Sequence, residues 1–461
     1  MQERICPICQ RPVPLDEFSS EAEGDSAVWK LIDHNHPRWS PSQGICHRCL
    51  DKYERLLAEL KQYHPQCTDG RCWIIPSPMR VDVDPQFAGR GVTIAFLDSG
   101  FYLHPDLIEP ENRALEYVNI PRQEADSEEL WKEVAEPNVD AWHGMMTSVV
   151  AAGNGYLSNG IYRGIAYEAN VVLLKVGTIR RIHHDDIRRG IEWVIAHREQ
   201  YRIRVLNISC GGDYEASYLT DPLAQAAEAA VRAGIVVVAA AGNKGNEPRH
   251  PVIAPANSPA VITVGGLDDN NQLDWTGFGM YASSYGPTID GLQKPEIIAP
   301  SIWLAAPILP QSQVADQAHL LETLDNAPAR QFKAILQKHQ GLEPALDAAF
   351  DRPVRELRGM VRELIGANNI ISAHYKHVDG TSFAAPIVSS IVAQMLEANP
   401  TLTPQQVKLA LIQTARRLPQ YEVDKQGWGV VNPRVAVKRA REWAALSASA
   451  KLPEADRKEE S

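Results

Sequence analysis

Four side chains of complementary chemistry occur in one order along the chain: Asp98, His143, Asn243 and Ser382. A serine hydroxyl becomes a competent nucleophile only when an imidazole takes its proton, and that imidazole needs a carboxylate to hold one tautomer. The tetrahedral intermediate of acyl transfer also needs hydrogen-bond donors. Asn243 can supply one from its side-chain amide. Ser382 stands in Gly380-Thr381-Ser382-Phe383-Ala384-Ala385-Pro386, at the head of a long helical pattern, and adds a backbone N–H at the favourable end of the helix dipole. Every group that an acyl transfer requires is therefore present.

These residues must be brought together by the elements that carry them. Asp98 closes the apolar run Val92 to Leu97, and Ala241-Gly242-Asn243 follows a second run from Ile235. Further β-branched runs at Val171 to Val176, Val205 to Ser209 and Val261 to Val264 read as buried strands. Helical patterns lie between them. Ile187, Ile191, Val194 and Ile195 share one face, Pro222 to Ala233 is alanine-rich and stopped by Gly234, and His143-Gly144 opens a short helix that Gly153 ends. Strands alternating with helices predict an α/β class with a parallel sheet covered on both faces, and sites in such sheets form at the strands' C-terminal edge.

Asp98-Ser99-Gly100, then His143-Gly144, then Ala241-Gly242-Asn243, then Gly-Thr-Ser-x-Ala-x-Pro resembles the subtilisin-like serine proteases. Two more stretches are similar to that family: Asn207-Ile208-Ser209-Cys210-Gly211-Gly212, and Lys294 to Pro300 with the preceding Ser283 to Pro287. The resemblance covers about residues 84 to 308 and 371 to 440. It implies a three-layer subtilisin-like fold with seven parallel strands and endopeptidase activity. It also implies roles: Asp98 orients, His143 is base and acid, Ser382 attacks, Asn243 serves the oxyanion hole, and a peptide substrate adds as a strand beside Ser209, Cys210, Gly211 and Gly212. The chain departs from the family at Gly144-Met145-Met146, where Gly-Thr-His is usual, and at Cys210, where a small or aliphatic residue is usual. Calcium, often bound in the family, finds only amide, hydroxyl and backbone oxygens in Asn154 to Gly160.

Six of seven cysteines fall in the first 72 residues. Cys6-x-x-Cys9 and Cys46-x-x-Cys49 are two knuckles with the spacing of a closed, four-thiolate structural zinc site. Cys67 and Cys72 could join a second site with His64, or stay free thiols. Asp33-His34-Asn35-His36 with Cys46 to Cys49 resembles the treble-clef HNH nucleases, but Leu50 stands where those place an asparagine. The net charge of −11, without a basic run, gives nucleic acid binding no support.

The expected organisation is a zinc-binding module over 1–75, a peptidase domain over 76–440 led in by an extended Pro76 to Pro85 segment, a helical hairpin inserted over 309–370, and a disordered tail over 441–461. Neither an apolar leader nor a membrane-length apolar run occurs, so a cytoplasmic, membrane-free protein is expected. A polypeptide substrate is the expected partner, with the module or the insertion as sites for a regulatory protein. Two other functions stay open: a catalytically silent peptide-binding scaffold, and a protease fused to a nuclease module.

Overall fold

The computed structural model describes the chain except for residues 1–2, 9–10, 20–27, 30–31, 33–38, 64–73, 123–125, 274–276 and 451–461. Cys9, Asp33 to His36, His64, Cys67 and Cys72 lie outside the described residues. Among its described residues the N-terminal module has two antiparallel strand pairs, Glu3–Ile5 with Pro12–Pro14 and Phe18–Ser19 with Ile45–Cys46, followed by helix α1 (His47–Tyr63). Its core holds Trp29 stacked on Trp39 with ring centroids 5.5 Å apart, together with Ile45, Leu50 and Tyr53. That core continues into Ile75 and Leu273, which seats the module on the main domain. The Ile75 N–H donates to Asn271 Oδ1 at 2.8 Å, and Arg48 pairs with Asp82.

The connection at Pro76 is not extended as expected. Ser77–Arg80 forms one helical turn, because Pro78 sits in the first turn, where a missing N–H costs nothing. The turn is held by burial of Arg80, whose Nε donates to Asp269 Oδ2 at 2.8 Å and whose other nitrogens donate to the Ile302 and Trp303 carbonyls, both at 2.7 Å.

The main domain is built on an eight-stranded sheet. Its strands are β1 (Thr93–Asp98), β2 (Ala114–Asn119), β3 (Asn170–Lys175), β4 (Ile203–Ile208), β5 (Val236–Ala240), β6 (Ile262–Asp268), β7 (Gly279–Met280) and β8 (Ile297–Pro300). Seven are parallel in the order β2-β3-β1-β4-β5-β6-β8, and β7 adds antiparallel to β6. Alternate residues of β1 enter different cores. Ile94 and Phe96 face a layer with α2 (Trp142–Ala152), whereas Ala95 and Leu97 face α3 (His184–His197) and α4 (Pro222–Arg232). Both faces are covered, which is why the strands read as unbroken apolar runs. Met145 and Met146 are buried in the first layer.

The segment after β8 enters strand β9 (Leu304–Pro307), which pairs antiparallel with β10 (Tyr375–Val378). Between them the expected hairpin is instead four helices: α5 (Gln313–Asn326), α6 (Ala329–Lys338), α7 (Pro344–Ala348) and α8 (Val354–Ala367). They enclose a core of their own around Leu321, Phe332, Leu346, Leu357 and Val361. Two helices would leave the opposite faces of α5 and α8 uncovered, and α6 and α7 close that gap. Helix α9 (Thr381–Ala398) then runs under the sheet, against β4, β5, β6 and α2. It is followed by α10 (Pro404–Thr414) and α11 (Pro433–Ala450), so the tail expected from 441 begins inside a helix. Among the described residues no helix is long and apolar enough to cross a membrane.

Candidate active site

Asp98 ends β1 at the sheet's C-terminal edge and is 1 % exposed. A carboxylate this deep needs donors on both oxygens. Oδ1 takes the Ser99 N–H at 2.7 Å and lies 2.7 Å from His143 Nδ1, and Oδ2 takes the Thr147 hydroxyl at 3.2 Å. The sequence assigns no role to Thr147, one helical turn beyond His143, and names Ser99 only as a member of its motif. The signal available for Thr147 was its spacing of four on the histidine helix. Gly144 permits the approach of α2, since a Cβ there would stand 2.1 Å from the Gly100 carbonyl oxygen. Burial lowers the affinity of His143 for its proton, but the Asp98 charge and hydrogen bond outweigh it and hold its pKa above the ordinary value.

Ser382 is the second residue of α9. Its hydroxyl donates to the Ser209 carbonyl at 3.2 Å, while its own carbonyl accepts the Ser209 hydroxyl at 2.9 Å. The second bond follows from Pro386, which has no N–H to offer the carbonyl four residues back. Ser209 is itself held by Asn207, and Asn207 by the Ser389 hydroxyl, at 3.0 and 2.9 Å. The head of α9 is thus pinned to the end of β4. His143 reaches the same place, its ring centroid 5.8 Å from that of Phe383.

Asn243 follows β5, and its Oδ1 accepts both the Thr381 N–H, at 3.0 Å, and the Thr381 hydroxyl, at 2.9 Å. This leaves the amide Nδ2 as the outward donor. A Cβ placed on Gly380 would stand 3.8 Å from both Asn243 Nδ2 and the Ser382 nitrogen, so two N–H donors border one small space, and the φ of +140° at Gly380 favours glycine beside it.

Ser209, Cys210, Gly211 and Gly212 continue from the end of β4 as irregular backbone, with the Gly212 N–H donating to the Ala254 carbonyl at 2.8 Å. A side chain at Gly212 would stand 2.3 Å from His184 Nδ1. Cys210 turns its sulfur inward, 3.8 Å from the Leu97 carbonyl oxygen. Burial, and then the Asp98 charge, push its thiol well above the usual range, so it presents no reactive thiolate.

In the N-terminal module the thiols of Cys6, Cys46 and Cys49 are buried with their sulfurs within 4.8 Å of one another. Cys6 and Cys49 are 3.9 Å apart, near the roughly 3.8 Å edge of a tetrahedron with zinc–sulfur bonds of about 2.3 Å. The Cys46 N–H donates to Cys6 Sγ at 3.5 Å. Among the described residues this is the one such grouping of metal-ligating side chains. In the Asn154 loop, Asn154 Oδ1 accepts the Tyr156 N–H and Ser158 Oγ the Tyr162 N–H.

Residues 89–429 match the peptidase model described as the subtilase family. The chain belongs to the subtilase family. A relative among curated proteins is serine protease AprX of Bacillus subtilis (strain 168), 32 % identical over 362 residues, covering 76 % of this chain and 66 % of AprX. A subtilisin-like protease of Coccidioides posadasii (strain C735) is 31 % identical over 234 residues, 48 % of this chain and 46 % of the relative. This subtilase therefore spans about two thirds and about half of these two relatives. Among solved structures, fervidolysin from Fervidobacterium pennivorans, a keratinolytic enzyme related to subtilisin, aligns with a TM-score of 0.52 at 20 % identity, over 82 % of this chain and 47 % of fervidolysin. That likeness establishes the α/β subtilase fold.

Proposed function

We propose that this subtilase is a serine endopeptidase that cleaves polypeptides through an acyl-enzyme. The observation that carries the reading is the 2.7 Å contact of His143 Nδ1 with the buried Asp98, set beside Ser382 at a helix N-terminus. With Nδ1 held by the carboxylate, the other ring nitrogen is the one left to exchange a proton with Ser382. The hydroxyl rests on the Ser209 carbonyl, and rotation about a single side-chain torsion releases it for attack. The substrate carbonyl carbon forms a bond to Ser382 Oγ while its oxygen takes charge between Asn243 Nδ2 and the Ser382 N–H. Collapse of that intermediate breaks the peptide bond as His143 returns the proton to the leaving amine, and water then hydrolyses the ester by the same route.

The test is labelling by a fluorophosphonate, read by intact mass, on wild type and Ser382→Ala. A single adduct on wild type alone supports the reading. Folded wild type that never labels, yet binds peptides, would transfer the case to the silent scaffold.

The same proposal includes one structural zinc ion held by Cys6, Cys46 and Cys49, with Cys9 as the fourth thiolate by its sequence spacing. The observation in its favour is the buried cluster with near-tetrahedral sulfur separation. Such a closed site would supply folding energy to a module too small to gain enough from its core. Thiolate ligands must stay reduced, which favours an intracellular location. Because the module is seated on Ile75, Leu273 and Asp82, metal loading is positioned to influence the peptidase domain, and a change in labelling rate on chelation reads that influence. The nuclease alternative loses ground, since the position where such nucleases place an asparagine holds Leu50, an apolar residue buried in the module core.

A further inference from the structure

Between the histidine helix and the helical insertion lies a cavity of about 510 Å³, within the roughly 300–1,000 Å³ span of small-ligand sites. One wall is Trp142 and Met146, on either side of His143 in α2. The other is Ile308, Leu309 and Val314 at the entry to the insertion, with Val378 of β10 alongside. The cavity borders the site through two of its lining residues. Trp142 meets the His143 ring edge-on with centroids 5.3 Å apart, and Val378 lies four positions before Ser382. None of the lining comes from Ser209–Gly212 or from Ala241–Asn243.

The chemistry of acyl transfer decides which part of a peptide would enter. The imidazole that deprotonates the serine later protonates the leaving amine, so the half of the substrate released first must lie against that imidazole. The family resemblance places the substrate strand beside Ser209 to Gly212, and we assign the acyl half to that stretch. A cavity walled by the residues flanking His143, and sharing nothing with that stretch, therefore faces the leaving half. Its walls are mainly aliphatic and aromatic, and two lining valines, Val139 at 74 % and Val314 at 39 %, stay exposed. Apolar side chains left exposed at a cavity are what an apolar ligand would cover.

We infer that this cavity receives a large apolar side chain, aromatic or branched aliphatic, from the first or second residue after the scissile bond, and that the insertion thereby selects the leaving half of the substrate. The inference rests on the serine-peptidase reading above and assigns the insertion a wall of the substrate site.

The experiment compares internally quenched peptides that carry Ala, Leu, Phe or Trp at either of those two positions and are otherwise identical. A peptide p-nitroanilide, which has no residue on that side, is run in parallel with wild type. The expected result is p-nitroanilide turnover together with kcat/KM about tenfold or more higher for a large apolar residue than for Ala at one of the positions. Val314→Arg and Val139→Asp should each bring that ratio towards one, and because the ratio is internal to each variant, differences in active fraction cancel. Equal kcat/KM for Ala and the large residues, with the p-nitroanilide turned over, overturns the inference and leaves the peptidase reading standing. A preference that survives both substitutions also overturns it. Folded wild type that turns over neither substrate class removes the peptidase reading and this inference with it.

Discussion

Thr381 gives both its backbone N–H and its hydroxyl to Asn243 Oδ1, at 3.0 and 2.9 Å. An asparagine amide has two faces, and saturating the oxygen fixes Nδ2 as the donor aimed at the site. Asn243→Ala should lower kcat by about 10² to 10³ with little change in KM, a size taken over from subtilisin, the type example of this donor. Thr381→Val keeps the backbone donor and loses only the hydroxyl, so a smaller loss of about tenfold in kcat is expected, matching one hydrogen bond of about 1–1.5 kcal/mol. Steady-state kinetics check both. A Thr381→Val enzyme with unchanged kcat would show that Asn243 needs no such orienting contact.

His143 must be neutral to act as a base. Burial favours its neutral form, but the charge and hydrogen bond of Asp98 favour the protonated form more, so its pKa stands above the ordinary 6.5. Activity is therefore full above that raised pKa and is lost as pH falls through it. The acidic limb of the kcat/KM profile should lie above pH 6.5 in wild type. Asp98→Asn removes the raising contribution and leaves burial, so the limb should move to lower pH while kcat falls by about 10⁴, the size seen for triad carboxylates. A wild-type limb below pH 6.5 would contradict the assignment of His143 as the titrating base.

Zinc removal is expected to act on the module before the peptidase domain. Metal analysis of the purified chain should give one zinc per molecule, and Cys49→Ser should lose it. The strands Glu3–Ile5 and Phe18–Ser19 are too short to persist without the thiolate cluster, whereas the large sheet has two cores of its own. Hydrogen exchange after chelation should therefore show loss of protection confined to the module and its contact at Ile75. Uniform protection in the metal-free protein would mean that the cysteines are ordinary core residues.

Much of the site was legible because its chemistry is written in short contiguous motifs at strand ends. Asp98 closes β1 and Asn243 follows β5, each at the end of an unbroken apolar run, and Ser382 opens α9, where a long helical pattern begins. What holds these residues was harder to see. Thr147 reaches Asp98 from a different element, with its spacing of four from His143 as the single signal, and Ser209 meets Ser382 across 173 positions of sequence, a contact that no periodicity announces. The insertion reads as a hairpin from sequence, and holds four helices, for a similar reason. Its apolar stripes at Val354, Leu357, Val361 and Leu364 state that a face is buried and not how many helices bury it. The charged stretch from Lys438 reads as a surface helix fraying into a tail, and the helix it belongs to begins earlier, at Pro433, where Ala436, Val437 and Ala440 anchor it to the main core.

Glu296, within the family-like stretch Lys294 to Pro300, carries an electrostatic role that the motif alone does not state. It accepts Lys294 Nζ at 2.7 Å and Lys408 Nζ at 2.6 Å on one oxygen and the Thr263 N–H at 2.8 Å on the other. Lys294 is almost fully buried, and although Glu296 counteracts the burial, its pKa is pulled down to about 8. Glu296→Gln would leave two ammonium groups facing each other without a carboxylate, which should cost about 3–5 kcal/mol in urea unfolding near pH 6. The sign of the pH dependence follows from linkage. A lysine whose folded pKa lies below its unfolded value makes the unfolded chain bind more protons between the two, so stability rises with pH across that window. In wild type the rise from Lys294 begins near pH 8, and in Glu296→Gln, where the supporting charge is gone, it begins lower. The gap between the two proteins should therefore narrow from pH 6 to pH 8. A gap that stays constant or widens over that range would show that the loss comes from packing or hydrogen bonding and not from the buried charge.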